Sequence, residues 1–381
     1  MDAEGVVVVG GGVIGTMHAV EACRRGWEVV HLEADAEPRR ASVRNFGLVW
    51  VSGRAAGGEL ELALRSRRLW DRTAREAPGI GLRPLGSITL ARDTSEMDVL
   101  SEAARTEDAG GRGLELLDVA DVRRANPALR GNFVGGLRCT KDAVVEPGCV
   151  LPALREWLET TGRYRWLPGH SAVDVLPGSA DGFGPGVVDD SGRHHRGSAV
   201  VLCIGDRTTG IAGRIGSSLA CAPLARCRLH MVQTAPTGEQ VATAVADGDS
   251  LRYYPAFDLP SRARLPAPSP ETDRWRMQLL LVQRASGGLT IGDTHSYDQP
   301  FDFAVEEAVV TELRRRAENL LGWSIPPVER RWTGTYTLTT DDQMLLHHEI
   351  DPGVWVVTGL GGRGMTLAPA VAQRTWESIS P

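Results

Sequence analysis

The chemistry of this sequence begins with three glycines. Gly10-Gly11-Gly12-Val13-Ile14-Gly15 has the spacing G-x-G-x-x-G and directly follows the apolar run Val6-Val7-Val8-Val9. In that setting Gly10 permits a tight turn, Gly12 lets backbone approach a pyrophosphate, and Gly15 lets a helix pack closely on a strand. The helix opens at Val13 and Ile14, so its free N–H groups and partial positive charge face the same phosphates. Glu33 follows Gly15 by eighteen positions (33 − 15). A carboxylate there accepts hydrogen bonds from ribose hydroxyls and repels a 2′-phosphate. Together these residues describe a dinucleotide site, and they leave open which dinucleotide.

Other segments carry groups that bind rather than cleave. Arg39-Arg40-Ala41-Ser42-Val43-Arg44-Asn45-Phe46-Gly47 is polar and lies soon after the ribose acid. Near the other end, Thr358 to Pro369 holds Gly359, Gly361, Gly362, Arg363 and Gly364, followed by Met365 and Thr366. Between them, Arg252-Tyr253-Tyr254-Pro255 and Gly292-Asp293-Thr294-His295-Ser296-Tyr297 bring a cation and hydroxyl donors suited to an anionic ligand. No Ser-His-Asp set or pair of carboxylates stands out. Cys23, Cys139, Cys149, Cys203, Cys221 and Cys227 contain no CxxC pair. They read as reduced structural residues, with neither a disulfide framework nor a metal site.

The elements that must position these residues follow from the apolar pattern. The four valines suit a strand buried on both faces. Val13 to Arg25 is helical, Gly26 ends it, and Trp27 to Leu32 is a second strand, which completes a βαβ unit. Further buried strands are expected at Ala199–Ile204 and Gly353–Gly359, with a closing helix over Pro369–Glu377. Between those two strands the segments 228–234, 250–254, 278–283 and 289–292 read as antiparallel strands, with a loop at 260–270. The expected fold is α/β, a Rossmann-like dinucleotide-binding domain carrying an inserted, mostly antiparallel substrate domain. The first takes residues 1–80, 140–220 and 331–381, and the second takes 81–139 and 221–330. A chain of 381 residues, 42% hydrophobic and 24% charged, is large enough for two such domains. A net charge of −6 gives no basic excess for nucleic acid. No apolar run approaches the ~20 residues that span a bilayer, and the acidic start Met1 to Glu4 is unlike a secretory signal, so the expected location is the cytoplasm.

The segment 39–47 and the closing glycine motif together resemble the FAD-dependent amine oxidases of the D-amino-acid oxidase, glycine oxidase and sarcosine oxidase superfamily. The resemblance spans essentially the whole chain. It implies FAD as the cofactor, with Gly10, Gly12, Val13, Ile14, Gly15 and Glu33 on its ADP half. Ala41, Ser42, Arg44, Asn45, Phe46 and Gly47 would wrap the pyrophosphate and flavin edge. Val173 would meet the adenine and Gly205 would lie beneath the cofactor. Gly359, Gly362, Arg363, Gly364, Met365 and Thr366 would face the flavin pyrimidine. The family's covalent members use a cysteine near the flavin, and none follows Cys227 here, so the attachment is expected to be non-covalent.

More narrowly, Ser42 to Gly47, Arg252 to Pro255 and Gly292 to Tyr297 resemble a subgroup associated with phosphonate metabolism. The activity this implies is oxidation of the C–N bond of a small anionic amine, 2-aminoethylphosphonate or its N-methyl derivative. A hydride passes to flavin N5, the imine is hydrolysed to an aldehyde, and oxygen or another acceptor takes the electrons. Tyr254, Arg252, His295, Arg363 and Asn45 are the substrate-binding candidates. Along a strand only one of Tyr253 and Tyr254 points inward, and Tyr254 is preferred. Trp50 is a candidate wall or core residue, whereas Arg331, Trp332 and Tyr336 read as structural. Three alternatives remain: a glycine, sarcosine or D-amino-acid type oxidase, an NAD-dependent dehydrogenase, and a non-catalytic nucleotide-binding protein.

Overall fold

The glycine turn is set into the middle of a sheet. In the computed structural model, which describes residues 5–178, 182–217, 223–297, 299–302 and 304–379, the strand Gly5–Val9 is flanked on both sides. The acidic start and Cys221 lie outside the described residues. The six-stranded sheet runs Leu346–Asp351, Val354–Thr358, Ala199–Leu202, Gly5–Val9, Glu28–Glu33, Tyr164–Pro168. All neighbours are parallel except the edge strand Leu346–Asp351. Alternation sends Val6 and Val8 into a core with Met17, Leu154 and Val371 from three helices. Val7 and Val9 go to the opposite core, against Ala172 and Val187 of a small antiparallel sheet.

The second sheet has eight strands, in the order Val328–Thr339, Leu224–Pro236, Gly288–Gly292, Leu280–Gln283, Ala244–Ala246, Ser87–Ala91, Gly135–Cys139, Leu114–Leu117. It is antiparallel apart from the pair Ala244–Ala246 and Ser87–Ala91. Residue 331, expected as a border, falls inside Val328–Thr339, which pairs along its length with Leu224–Pro236. The strand expected at 250–254 is instead a helical turn, Ser250–Tyr253, continued by a 3-10 turn at Pro255–Phe257. The expected loop at 260–270 also contains a 3-10 turn, Pro260–Arg264. Among the described residues no helix is long and apolar enough to cross a membrane.

The closing helix starts earlier than its sequence suggests, at Gly364, and carries Pro369 inside it. Proline has no N–H to offer the carbonyl four residues back. That carbonyl, on Met365, accepts instead from the buried Trp70 indole at 3.0 Å. Ser66 Oγ accepts from Ala370 N at 3.0 Å and donates to Leu367 O at 3.1 Å, which helps hold the same turn.

Two buried histidines brace the glycine turn from below. His31 Nε2–H donates to Gly10 O at 3.0 Å, and its Nδ1 accepts from the Tyr164 hydroxyl at 2.9 Å. His18 lies 2.7 Å from Ile14 O. Burial holds both rings down to about 4, against an ordinary 6.5. Above pH 6.5 both are neutral whether the chain is folded or not. Between 6.5 and 4 only the unfolded chain takes up the protons, so stability falls as pH drops through that window. Denaturant titrations from pH 7 to 4.5 are expected to show a progressive loss, up to ~3 kcal/mol per histidine. Replacing His31 with Gln is expected to flatten that slope.

Candidate functional site

The two sheets face each other across a cleft of about 650 Å³, within the range of cofactor and ligand sites. The glycine turn forms one end. Gly10 has φ +105°, and a Cβ there would stand 2.2 Å from Cys203 O. A Cβ on Gly15 would stand 1.9 Å from Gly10 O. Gly12 is different: its φ is −68°, and the nearest obstacle to a Cβ is Ser42 Oγ at 3.0 Å. Backbone strain therefore does not require glycine at 12; a side chain there would instead crowd Ser42 Oγ and fill part of the cleft in front of the helix N-terminus. Glu33 borders the cleft, its two oxygens accepting from Gly11 N at 2.7 Å and Asp35 N at 2.8 Å. Each oxygen keeps a lone pair for a further donor.

The polar segment 39–47 borders the cleft through Arg39, Arg40, Ala41, Ser42, Arg44, Asn45 and Phe46. Ser42 Oγ accepts from Val13 N at 2.9 Å, tying this segment to the helix start. Asn45 acts on the loop itself. Its amide donates to Ala41 O and Ser42 O, both at 2.8 Å, and its Oδ1 accepts from Gly47 N at 2.6 Å. Across the cleft lie Gly205, Gly359, Gly362, Arg363, Gly364 and Met365, where the closing helix begins.

Five expected site residues stand elsewhere. Val173 is off the cleft, which the chain meets through His170, Ser171 and Ala172 before the strand leads away. Gly47 is off it too, and its φ of +68° and the Val145 carbonyl 2.1 Å from a would-be Cβ explain its glycine. Thr366 is turned inward, its Oγ1 accepting from Trp50 N at 2.9 Å. Arg252 points away, 3.7 Å from Asp249 and bonded to Pro266 O. His295 stands behind the cleft wall, stacked on Tyr253 at 4.3 Å, with Nδ1 2.9 Å from Arg276 O. The helical turn at 250–253 also changes the tyrosine choice, because Tyr253 and Tyr254 both border the cleft. Tyr336 and Tyr297 border it as well. Trp332 donates to Arg44 O at 3.2 Å, and Arg331 pairs with Glu307.

A charged cluster at this end carries no motif by which the sequence could have announced it. Arg54 is buried, lies over the Tyr254 ring at 5.7 Å, and pairs with Glu59 at 3.3 Å. Glu59 also faces Arg363 at 3.7 Å. Burial works against the Arg363 charge, and Glu59 offsets part of that cost. Two guanidiniums around one carboxylate leave this cluster with a net positive charge. Burial also pushes the Tyr254 hydroxyl far above its ordinary range, so it stays a proton-bearing donor. Arg54 and Glu59 lie just before the helix Gly58–Glu76 and at its start, with no pattern in sequence linking them to residue 363. Trp50 Nε1 is buried with no hydrogen-bond partner among the described residues. An orphan donor and an open cradle at Gly12 fit a large, polar, planar cofactor between them.

A parallel sheet with a G-x-G-x-x-G turn, facing an antiparallel sheet across a shared cleft, is the build of a dinucleotide-dependent oxidoreductase. The chain belongs to the DAO family of FAD dependent oxidoreductases, whose sequence profile matches residues 5–377. It is similar to an opine oxidase subunit from Rhizobium meliloti, 26% identical over 96% of this chain and 93% of that one. Among solved structures it is similar to glycine oxidase from Geobacillus kaustophilus, with TM-score 0.78 and 21% identity over 99% and 95% of the two chains. L-proline dehydrogenase from P. horikoshii gives TM-score 0.79 and 18% identity over 99% and 93%. The protein is therefore an FAD-dependent oxidoreductase.

The Gly12 cradle has a direct test. Gly12→Val keeps an allowed backbone but fills the space in front of the helix N-terminus. The variant is expected to fold, with unchanged circular dichroism, and to purify with at least ~10-fold less flavin absorbance than the parent.

Proposed function

We propose that this protein oxidises the C–N bond of a small amine bearing an anionic group, with an aminophosphonate as the preferred substrate. The observation that carries this reading is the Arg54–Glu59–Arg363 cluster, whose net positive charge lies beside the closing glycine motif in the cleft. FAD, when bound, supplies a two-electron acceptor for the substrate's C–H hydride. Gly10 and Gly15 set the turn; the Gly12 backbone and the Ile14 N–H would hold the cofactor's pyrophosphate, with Val13 N tied to Ser42, and Glu33 would hold its ribose. Ala41, Ser42, Arg44 and Phe46 wrap it, with Asn45 fixing their loop, and the attachment is non-covalent. The backbone from Gly359 to Met365 and the start of the closing helix face the flavin ring with partial positive charge. Arg363 takes the substrate's anionic group, and Tyr254 and Tyr336 close the wall around it. Imine hydrolysis then yields an aldehyde, and oxygen or another acceptor removes the electrons.

A second reading takes an opine, a secondary amine between two carboxylates, as the substrate. The similarity to the opine oxidase subunit, which covers nearly all of both chains, favours it, and two guanidiniums in one cleft suit two anionic groups.

Anaerobic mixing separates the readings. 2-Aminoethylphosphonate or its N-methyl derivative is expected to bleach the flavin absorbance. Bleaching by an opine, glycine or sarcosine but by neither phosphonate overturns the aminophosphonate assignment, and bleaching by no amine overturns amine oxidation. Arg363→Met is expected to raise KM by roughly 10- to 100-fold, the loss of one charge-assisted hydrogen bond of about 1.5–3 kcal/mol.

A further inference from the structure

Besides Glu33 and Glu59, a further carboxylate borders the cleft. Asp293 follows the Gly288–Gly292 strand, borders the cleft and is only 6% exposed. Its Oδ1 has no hydrogen-bond partner among the described residues. Its Oδ2 lies 3.8 Å from His295 Nε2, too far for a hydrogen bond. Across the sheet the Asp293 and Gln278 backbones are locked together, N to O in both directions at 3.0 and 3.2 Å. The Gln278 side-chain amide also borders the cleft; it makes no close hydrogen bond among the described residues, yet it stands near enough to Asp293 and to the Tyr254 hydroxyl to favour the ionised form of each. A buried carboxylate with a free oxygen is costly and is normally paired. Here Gln278 and His295 meet that need only in part, and the free Oδ1 is left to whatever enters the cleft.

We propose that Asp293 receives the substrate's ammonium group and takes its proton, so that the site recognises a bipolar amine, cation at Asp293 and anion at Arg363. Tyr253 and Tyr336 are electrostatic neighbours of both groups, so the two charges share one end of the cleft. The step is a proton transfer alone. One N–H bond of the ammonium breaks, an O–H bond forms at Oδ1, and the electron pair stays on nitrogen. Hydride loss from the adjacent carbon needs that lone pair, because a positive nitrogen cannot stabilise the forming imine. The amine leaves water as a cation, so an acceptor inside the cleft lowers the barrier to the reactive form.

The groups around Asp293 set the direction of its titration. His295 faces it from its own segment, Cys227 from the Leu224–Pro236 strand, and Tyr336 from Val328–Thr339. Tyr253 and Tyr254 face it from the 250–254 turn. Burial raises the Asp293 pKa above the ordinary carboxylate range, and His295 and Gln278 offset only part of the rise. A raised value makes Asp293 a stronger base than a solvated carboxylate. It also means that kcat/KM falls as pH drops through that value.

This proposal rests on the amine-oxidase reading, and its test keeps the two apart. Asp293→Asn preserves shape and removes the charge; flavin content and melting temperature serve as folding controls, and Asp293→Glu restores the acid. In anaerobic stopped flow with the best amine, kcat/KM of Asp293→Asn is expected to fall by about 100-fold or more, and its decline at low pH to disappear. In Asp293→Glu that decline returns. Glycine betaine has the same two charges but no lone pair to oxidise, so its perturbation of the flavin spectrum reports binding without turnover. Its Kd is expected to rise at least ~10-fold in Asp293→Asn. Rates within about threefold of the parent with the acidic decline intact, or betaine binding that is absent or equal in both proteins, overturns the proposal. If no amine reduces the parent flavin yet betaine still distinguishes the two proteins, amine oxidation fails while the bipolar site stands.

Discussion

The turn between the first strand and the first helix closes because Gly15 brings no side chain to the Gly10 carbonyl, from which a Cβ would be 1.9 Å away. That contact sets the helix against the sheet and points its free N–H groups into the cleft. The rest of the cofactor end is arranged around it. His31 donates to the same Gly10 carbonyl, Gly11 N donates to Glu33, and Val13 N reaches across to Ser42. A shift of the turn would loosen all three bonds together. Of the two neutral forms of His31, the Nε2–H tautomer serves both partners, donating to Gly10 O and accepting from Tyr164 at Nδ1.

The two sheets divide the labour by what each exposes. The parallel sheet is covered on both faces, so function is left to its strand ends and loops. The glycine turn, Gly205 and the closing glycine motif all follow such strands and border one cleft. The antiparallel sheet lends side chains instead. Tyr336 and Asp293 come from its strands or their ends, and Tyr253 and Tyr254 from the turn after Ala244–Ala246. Backbone donors suit a cofactor common to many enzymes, and side chains suit a substrate peculiar to one.

The closing helix links the two halves. It packs on the first helix, where Trp376 Nε1 donates to His18 O at 2.9 Å, and its N-terminus lies in the cleft. Thr366 and Met365 receive bonds from Trp50 and Trp70, so the wall of the cleft near Arg363 is fixed by the same helix that packs behind the glycine turn. Arg363, one residue before that helix, is thereby held where Glu59 can face it.

The glycine spacing, Glu33, the buried valine strand and the closing glycine motif were readable in one dimension, because each depends on local backbone geometry or on a period of two. The parallel sheet and its antiparallel companion followed from the same patterns. Other features were not local. Val173, Thr366, Arg252 and His295 lie on segments that do reach the cleft, yet the turn of the chain at each residue points it elsewhere. Tyr253 joined Tyr254 on the cleft because 250–253 coils into a helical turn where an alternating strand was expected. Arg54, Glu59 and Arg363 are separated by up to about three hundred positions in sequence and become a cluster only when the closing helix docks beside the Gly58–Glu76 helix. Asp293 was plain in its motif, but that its Oδ1 is left without a partner among the described residues is decided by packing.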